Sequence, residues 1–206
     1  MEEKERILRR LWQAKMHVEA RALELSPRNV RRRFEHIWQP AELLLQELQA
    51  LPRGWLAFWQ QSPRGHLVFT HRSSRYMPGK QPWREGELDS VCYVGLTDLV
   101  QAKELAMYAL YHLFDHLLGS GAQEGKGWLS QGEGATEALR QVGQRFSEIY
   151  ELGYGVEELS AQTPQDYFAR TLWLYLQEPR RLSVLAPLVY KLYRHTLFQE
   201  SFWRRM

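Results

Sequence analysis

The segment from Thr97 to Gly119 constrains the fold of this chain most strongly, because it has the composition of one long buried helix. Thr97 is suited to cap its first turn, and Gly119 suits the position just after its last turn. His112 and His116 are one helical turn apart on the same side. Apolar residues surround much of the helix, as is typical of a core helix. They are Leu99, Leu105, Tyr108, Leu110, Leu113, Leu117 and Leu118.

The overall composition is that of a folded globular protein. Of the 206 residues, 44% are hydrophobic and eight are tryptophan, a balance that argues against disorder. A chain of this length can bury a substantial core, and we predict one domain over residues 1–206. The single cysteine, Cys92, excludes an internal disulfide framework and a multi-cysteine zinc site.

Charge and hydropathy bear on location and partners. No apolar run is long enough to cross a bilayer, and the N-terminal sequence MEEKERILRRLWQAK is highly charged where a signal peptide needs an apolar segment. We therefore expect a cytoplasmic protein with no membrane partner. The formal net charge is only +3, and the basic residues are scattered among acids. For this reason we expect no nucleic-acid partner.

The first region, residues 1–52, is predicted to be helical. Apolar residues recur at helical spacing from about Glu2 to Leu25. Ser26 and Pro27 indicate the start of a second helix, and Pro40 the start of a third. The third helix is expected to stop at the turn sequence of residues 51–54.

The second region, residues 53–119, is predicted to contain a small mixed or antiparallel sheet and the central helix. Residues 55–61 and 66–71 are rich in aromatic and β-branched residues and are separated by turn-forming residues, which predicts a hairpin. Residues 73–89 contain two prolines and two glycines and are expected to be irregular. Residues 90–96 predict the last strand.

The third region, residues 120–206, is predicted to be a helical C-terminal lobe. A glycine-rich loop is expected after Gly119, with Trp128 and Leu129 as its anchor. Helices are then predicted over residues 135–151, from a cap at Thr163, and from Pro187 to about Trp203. The fold class predicted for the whole chain is α+β.

Two segments of the second and third regions carry a resemblance to a known family. HLFDHLLG, from His112 to Gly119, resembles the active-site helix of gluzincin-type zinc metallopeptidases of the lethal-factor kind, whose motif is HExxH. TPQDYFARTLWLYLQEPRRLSVLAPLVYKLY, from Thr163, resembles the third-ligand helix of that family. The resemblance implies a zincin-like α+β fold, in which His112, His116 and Asp166 fall on the three zinc ligands.

The departures from that family pattern bear directly on function. Leu113 stands where the family has the glutamate that serves as general base, and leucine cannot transfer a proton. Asp166 replaces the longer glutamate ligand. Arg170 stands where the family has a second acid, and it can pair with Asp166 four residues before it. Its positive charge would repel a metal ion.

We therefore predict a remnant site without a metal or other cofactor and without catalytic residues. In this site His112, His116, Asp166 and Arg170 are expected to satisfy one another by hydrogen bonds, with Tyr108 closing its edge. Simpler explanations exist for each residue. A histidine on an apolar helix face is commonly a satisfied core residue, and an acid in the first turn of a helix needs no site.

Three classes of function remain open at this point. The first, which we favour, is a non-catalytic zincin-like protein that binds a peptide or a partner protein. The second is an active zinc hydrolase with His112, His116 and Asp166 as ligands and Asp115 as base. Asp115 also allows an inverted HxxEH-type motif with aspartate in place of glutamate. The third is an interaction module that binds through the N-terminal helical region with Arg31 to Arg33, with the peptidase-like part as a scaffold only.

Overall fold

The computed structural model describes residues 2–153, 159 and 161–205 and confirms an α+β fold. The chain divides into two compact units, the first ending at Leu110 and the second beginning at Tyr111. The elements in chain order are α1 (Glu2–Lys15), β1 (Met16–Val18), α2 (Arg28–Arg33), α3 (Gln39–Leu48), α4 (Arg53–Gln61), β2 (His66–Thr70), β3 (Arg75–Trp83), β4 (Gly86–Gly95), α5 (Leu96–Gln101), α6 (Lys103–Ser120), a 3-10 helix (Leu129–Gln131), α7 (Glu137–Glu151), α8 (Pro164–Gln177), α9 (Pro179–Leu185), α10 (Pro187–His195) and α11 (Glu200–Trp203).

The first unit is built on a mixed four-stranded sheet of order β1-β2-β4-β3. Strands β1, β2 and β4 are parallel to their neighbours, and β3 is antiparallel to β4. The centre of β2 is fully buried, as expected for a strand that has parallel neighbours on both sides. Its core residues are Leu67, Val68 and Phe69.

The hairpin expected over residues 55–71 is wrong, because residues 53–61 form helix α4. Pro52 precedes the first turn of α4, and its buried residues are Trp55, Leu56 and Trp59. These positions follow helical spacing, whereas the prediction rested on composition and on the turn-forming residues that follow. Trp59 donates its indole N–H to the carbonyl of Gly65 at 2.8 Å, which satisfies the buried nitrogen.

Residues 73–89, which were expected to be irregular, form β3 and the start of β4. The two strands pair from Arg75 with Tyr93 to Trp83 with Gly86. The register shifts between Met77 and Lys80, where Pro78 and Gly79 interrupt the pattern. The prolines and glycines therefore mark a bulge and turns, and they do not prevent strand pairing.

The N-terminal region is not wholly helical, since α1 ends at Lys15 and the next three residues form β1. Lys15 is only 4% exposed, and its ammonium group donates to the carbonyls of Ser62 at 2.6 Å and Arg64 at 2.9 Å. Burial lowers the pKa of Lys15 to about 8. Lys15 is thus the last residue of α1, and its hydrogen bonds fix the chain just before β1 begins.

The segment from Thr97 to Gly119 is not one continuous helix. It is interrupted at Ala102, whose backbone has φ −146° and ψ 59°. Leu105, expected in the core, is 54% exposed just after this interruption. Helix α5 starts at Leu96 without a side-chain cap, so Thr97 does not have the expected capping role. Helix α6 runs one residue past Gly119 to Ser120.

The second unit contains helices packed around an aromatic core. Thr136 caps α7 and Thr163 caps α8, each by accepting a backbone N–H three residues on. Phe146 of α7, Phe168 of α8 and Tyr193 of α10 contact one another with ring centroids 5.5–6.2 Å apart. Their burial fixes the three helices against one another.

The last predicted helix of the second unit is wrong in extent. Helix α10 ends at His195, and α11 begins only at Glu200.

None of the helices in the described part of the chain combines the length and the apolarity needed to cross a bilayer.

Candidate functional site

The predicted site residues of the second unit lie on α6 and α8. His112 is partly accessible, with 25% of its side chain exposed, whereas His116 is 1% exposed. Leu113, which follows the first of these histidines, is fully buried. The two histidines share a helix face but have very different access to solvent.

His112 and Asp166 lie next to each other, as expected from the sequence. Nε2 of His112 is 3.5 Å from Oδ1 of Asp166. The other oxygen of Asp166 accepts a hydrogen bond from Thr163 Oγ1 at 2.8 Å, and the Asp166 N–H donates to the same hydroxyl at 3.1 Å. Burial lowers the pKa of His112, and the Asp166 carboxylate partly opposes this. Burial therefore favours the neutral imidazole of His112 beside this carboxylate.

His116 has different partners. Its ring stacks on Trp128, with centroids 4.5 Å apart and planes at 21°. Its Nε2 lies 3.0 Å from the carbonyl oxygen of Gln123. Since a carbonyl only accepts hydrogen bonds, Nε2 of His116 carries the proton. The rings of Trp128 and His112 are perpendicular, with centroids 6.4 Å apart and planes at 88°, so one tryptophan contacts both histidines.

Gly119 allows the segment that carries Trp128 to approach α6. A Cβ atom at position 119 would lie 2.3 Å from Leu129 N and 2.4 Å from Trp128 C. Only a residue without a side chain can occupy this position without moving the backbone of the neighbouring segment. Gly119 was expected to end the helix, but its structural role is this close approach.

Asp115 secures the same segment from inside the core. Its two oxygens accept hydrogen bonds from Ser130 N at 2.8 Å and from Ser130 Oγ at 2.6 Å. Both residues are fully buried. Burial raises the pKa of Asp115 from 3.8 to about 7, and the bonds from Ser130 and Leu129 act against this rise. Asp115 holds the 3-10 helix and is turned away from solvent, which disfavours its predicted role as a base.

The mutual hydrogen-bond network predicted for the remnant site is only partly formed. Within the described residues, Arg170 is half-buried and makes no ion pair with Asp166. The hydroxyl of Tyr108 donates to Glu104 on its own helix, in the first unit. His116 bonds to Gln123 instead of to Asp166. Asp166 faces His112 because the capping bond from Thr163 fixes the direction of its carboxylate.

The residues present fit a zinc ion poorly. A zinc ligand needs an unprotonated imidazole nitrogen, and because Nε2 of His116 donates its N–H to Gln123, only Nδ1 of this ring is left to serve. His112 and Asp166 supply two possible ligands. Among the residues that the structure describes, no group of three or more His, Cys, Asp or Glu side chains is placed to hold a metal ion.

Sequence reasoning missed the residues that shape the site from the loop side. These are Gln123 and Ser130, whose partners on α6 are seven and fifteen positions away. A signal existed for Trp128, the anchor predicted within the glycine-rich loop. No protein-family model matches this chain, and no curated protein matches it significantly.

Proposed function

We propose that this protein is a non-catalytic, zincin-like protein that binds a peptide segment through the site formed by His112, Trp128 and Asp166. It is a pseudo-metallopeptidase in this proposal, with no resident metal ion. The observation that carries the proposal is the separation of the three expected ligands: His112 lies beside Asp166, whereas His116 bonds to the Gln123 carbonyl and stacks on Trp128.

The position of Leu113 supports the same proposal. A metallopeptidase requires a carboxylate near its metal-bound water to accept a proton. Leu113 is fully buried and has no group that can do so. Asp115, the acid nearest to it in sequence, has both oxygens bonded to Ser130. Neither Leu113 nor Asp115 is therefore suited to accept a proton from a metal-bound water.

The accessible atoms of the site suit a peptide. The side chain of Asp166 is 47% exposed and that of His112 is 25% exposed. Together they offer a hydrogen-bond acceptor and an imidazole beside the ring of Trp128. Peptide groups need both donors and acceptors, and aromatic edges supply apolar contact area.

The alternative is an active zinc hydrolase, and the 3.5 Å separation of His112 and Asp166 favours it. Zinc could bind if Nδ1 of His116, the ring nitrogen that is not bonded to Gln123, turned towards His112 and Asp166. Such a turn of the ring would disturb its stacking contact with Trp128. This loss disfavours the alternative.

Metal content distinguishes the two functions. The tag-free protein would be incubated with zinc, dialysed and analysed by elemental mass spectrometry, beside His112→Ala and the control His36→Ala. His36 is exposed in the first unit. We expect less than about 0.1 zinc per chain in all three proteins. Near-stoichiometric zinc that is lost only in His112→Ala would overturn the proposal.

Peptide binding requires its own experiment. A random phage-displayed dodecapeptide library would be selected on the immobilised protein, and enriched peptides measured by fluorescence anisotropy. We expect Asp166→Ala to weaken binding at least tenfold and Glu137→Ala to leave it unchanged. Glu137 is a matched control because both acids lie in the first turn of a helix capped by threonine. Equal loss in both variants, or no enriched peptide, contradicts peptide binding at this site.

A further inference from the structure

A second group of polar side chains lies at the carboxyl edge of the sheet in the first unit. Glu19 directly follows β1, and its backbone N–H donates to Phe69 O at 3.0 Å, which extends the pairing with β2 by one residue. Thr70 ends β2, and His71 follows it. Parallel strands end at the same edge, where ligands commonly bind in such sheets. The three side chains therefore meet at a favourable place.

The carboxylate of Glu19 is held in one position by this group. The hydroxyl of Thr70 donates to Oε2 of Glu19, and Nδ1 of His71 lies 3.4 Å from the same oxygen. Thr70 Oγ1 in turn accepts the backbone N–H of Arg72 at 3.2 Å. The Glu19 side chain is nevertheless 30% exposed. The Glu19 carboxylate is thus fixed in orientation and still partly accessible to a ligand.

Glu19 lines a pocket of about 460 Å³ that lies within the first unit. Its walls include the apolar side chains of Val18, Phe34 and Ile37. Phe34 is only 2% exposed, so this part of the pocket wall is packed into the core. The volume is in the range of small-molecule sites, which are also mainly apolar with a few placed polar groups.

The charges around the pocket select a type of ligand. Arg21 and Glu24 neutralise each other in an ion pair of 2.8 Å. Arg31 also lines the pocket, and within the described residues no acid pairs with it. Glu35 adds a negative charge at the exposed rim. A free guanidinium and a held carboxylate thus line one apolar pocket, which favours a ligand that carries both charges.

We propose that this pocket binds a free α-amino acid with an apolar side chain. The ammonium group contacts the Glu19 carboxylate, and the carboxylate pairs with the Arg31 guanidinium. The apolar side chain packs between Val18 and Phe34. This site is independent of the function proposed for the second unit, because every residue that forms it precedes Leu110.

Isothermal titration calorimetry of the full chain tests the ligand chemistry. L-Leucine and L-phenylalanine are the probes. 3-Methylbutylamine lacks the carboxylate of leucine, and 4-methylpentanoate lacks its amine. We expect both analogues to bind at least tenfold more weakly than leucine, since each loses one charged contact. Equal binding of either analogue, or no heat with any amino acid at millimolar concentration, overturns the proposal.

Variants test the assignment of the two charged groups. We expect Glu19→Gln and Arg31→Ala each to weaken leucine binding at least tenfold. Arg32→Ala is the matched control, because Arg32 is an exposed neighbour on α2 outside the pocket lining. Far-UV circular dichroism checks that each variant is folded. Binding that is unchanged in Arg31→Ala, or equally weakened in Arg32→Ala, contradicts the role of Arg31.

Discussion

Replacing Gly119 by alanine tests the packing on which the candidate site depends. The added Cβ would lie 2.3 Å from Leu129 N and 2.4 Å from Trp128 C, whereas ordinary contacts begin at 3.4 Å. The neighbouring atoms belong to backbone, so no rotation of a side chain relieves the clash. The segment from Trp128 to Ser130 must move by about 1 Å, which is enough to lengthen the bond from Ser130 to Asp115 beyond hydrogen-bonding range.

The size of the effect follows from three contributions. Overpacking costs about 1–3 kcal/mol. Weakening a hydrogen bond to a buried carboxylate costs about 1.5–3 kcal/mol when the bond is lost entirely. Alanine recovers about 1 kcal/mol through its higher helix propensity. We therefore expect Gly119→Ala to lower the free energy of unfolding by about 1.5–5 kcal/mol and Tm by roughly 3–20 °C.

Urea unfolding followed by far-UV circular dichroism measures this loss. Gly86→Ala is the control, because the nearest atom to an added Cβ at position 86 is 4.0 Å away. It should change stability by less than about 0.5 kcal/mol. In NMR spectra, the ring protons of His116 should lose part of the upfield shift caused by Trp128. A Gly119→Ala protein as stable as the wild type, with an unchanged His116 spectrum, would refute the close approach.

Three further predictions concern titration and reactivity. Burial raises the pKa of Asp115 to about 7, so the folded state binds a proton on this carboxyl group more tightly than the unfolded state does. The contribution of Asp115 to the free energy of unfolding therefore falls as pH rises from about 4 to 7. The Tm difference between wild type and Asp115→Asn should therefore shrink from pH 5 to pH 8, and a constant difference would contradict the raised pKa. Burial and neighbouring cations lower the pKa of His17 and His66, to about 4 for His66, so stability should fall as pH drops from about 6.5 to 4. His66→Gln should flatten this fall in thermal melts, and an unchanged slope would count against it. Burial also raises the pKa of the Cys92 thiol, so an aromatic disulfide reagent at pH 8 should label it only after denaturation, and rapid labelling of the native protein would disprove this.

Local patterns were enough to predict the helices whose ends carry their own signals. Thr163 and Pro164 mark the start of α8, and both the cap and the helix occur as expected. The helix α7 likewise follows from its apolar spacing and starts at the capping residue Thr136. In these elements the information lies within a few residues of the chain, so the sequence alone could reveal it.

Long-range pairing explains the elements that were missed. Strand β1 has three residues, and its apolar positions Met16 and Val18 also fit a continuing helix. It becomes a strand because Met16 pairs with Leu67 and Val18 with Phe69. In the same way β3 gains its structure from β4, in spite of Pro78 and Gly79. Tertiary pairing overrides local preference in both cases.

The helices that carry the candidate site could be predicted from the sequence, but most of the contacts of their side chains could not. The proximity of His112 and Asp166 was expected and occurs. The bond from His116 to Gln123 could not be foreseen, because the partner is a backbone carbonyl that has no sequence signature. Asp115 was considered as a base, yet it bonds to Ser130 on a separate 3-10 helix. Which buried acid meets which donor depends on packing, not on spacing.

The residues on either side of β1 bond to partners that lie much later in the chain, and this has a consequence for folding during synthesis. Lys15 bonds to a carbonyl 47 residues later in the chain, and Glu19 bonds to a side chain 51 residues later. When the N-terminal segment leaves the ribosome, neither partner has yet been synthesised. At about 5–20 residues per second, that segment waits several seconds before its strand can pair. During this interval Met16 and Val18 are not yet covered by β2, and a chaperone that shields them would raise the yield of folded protein.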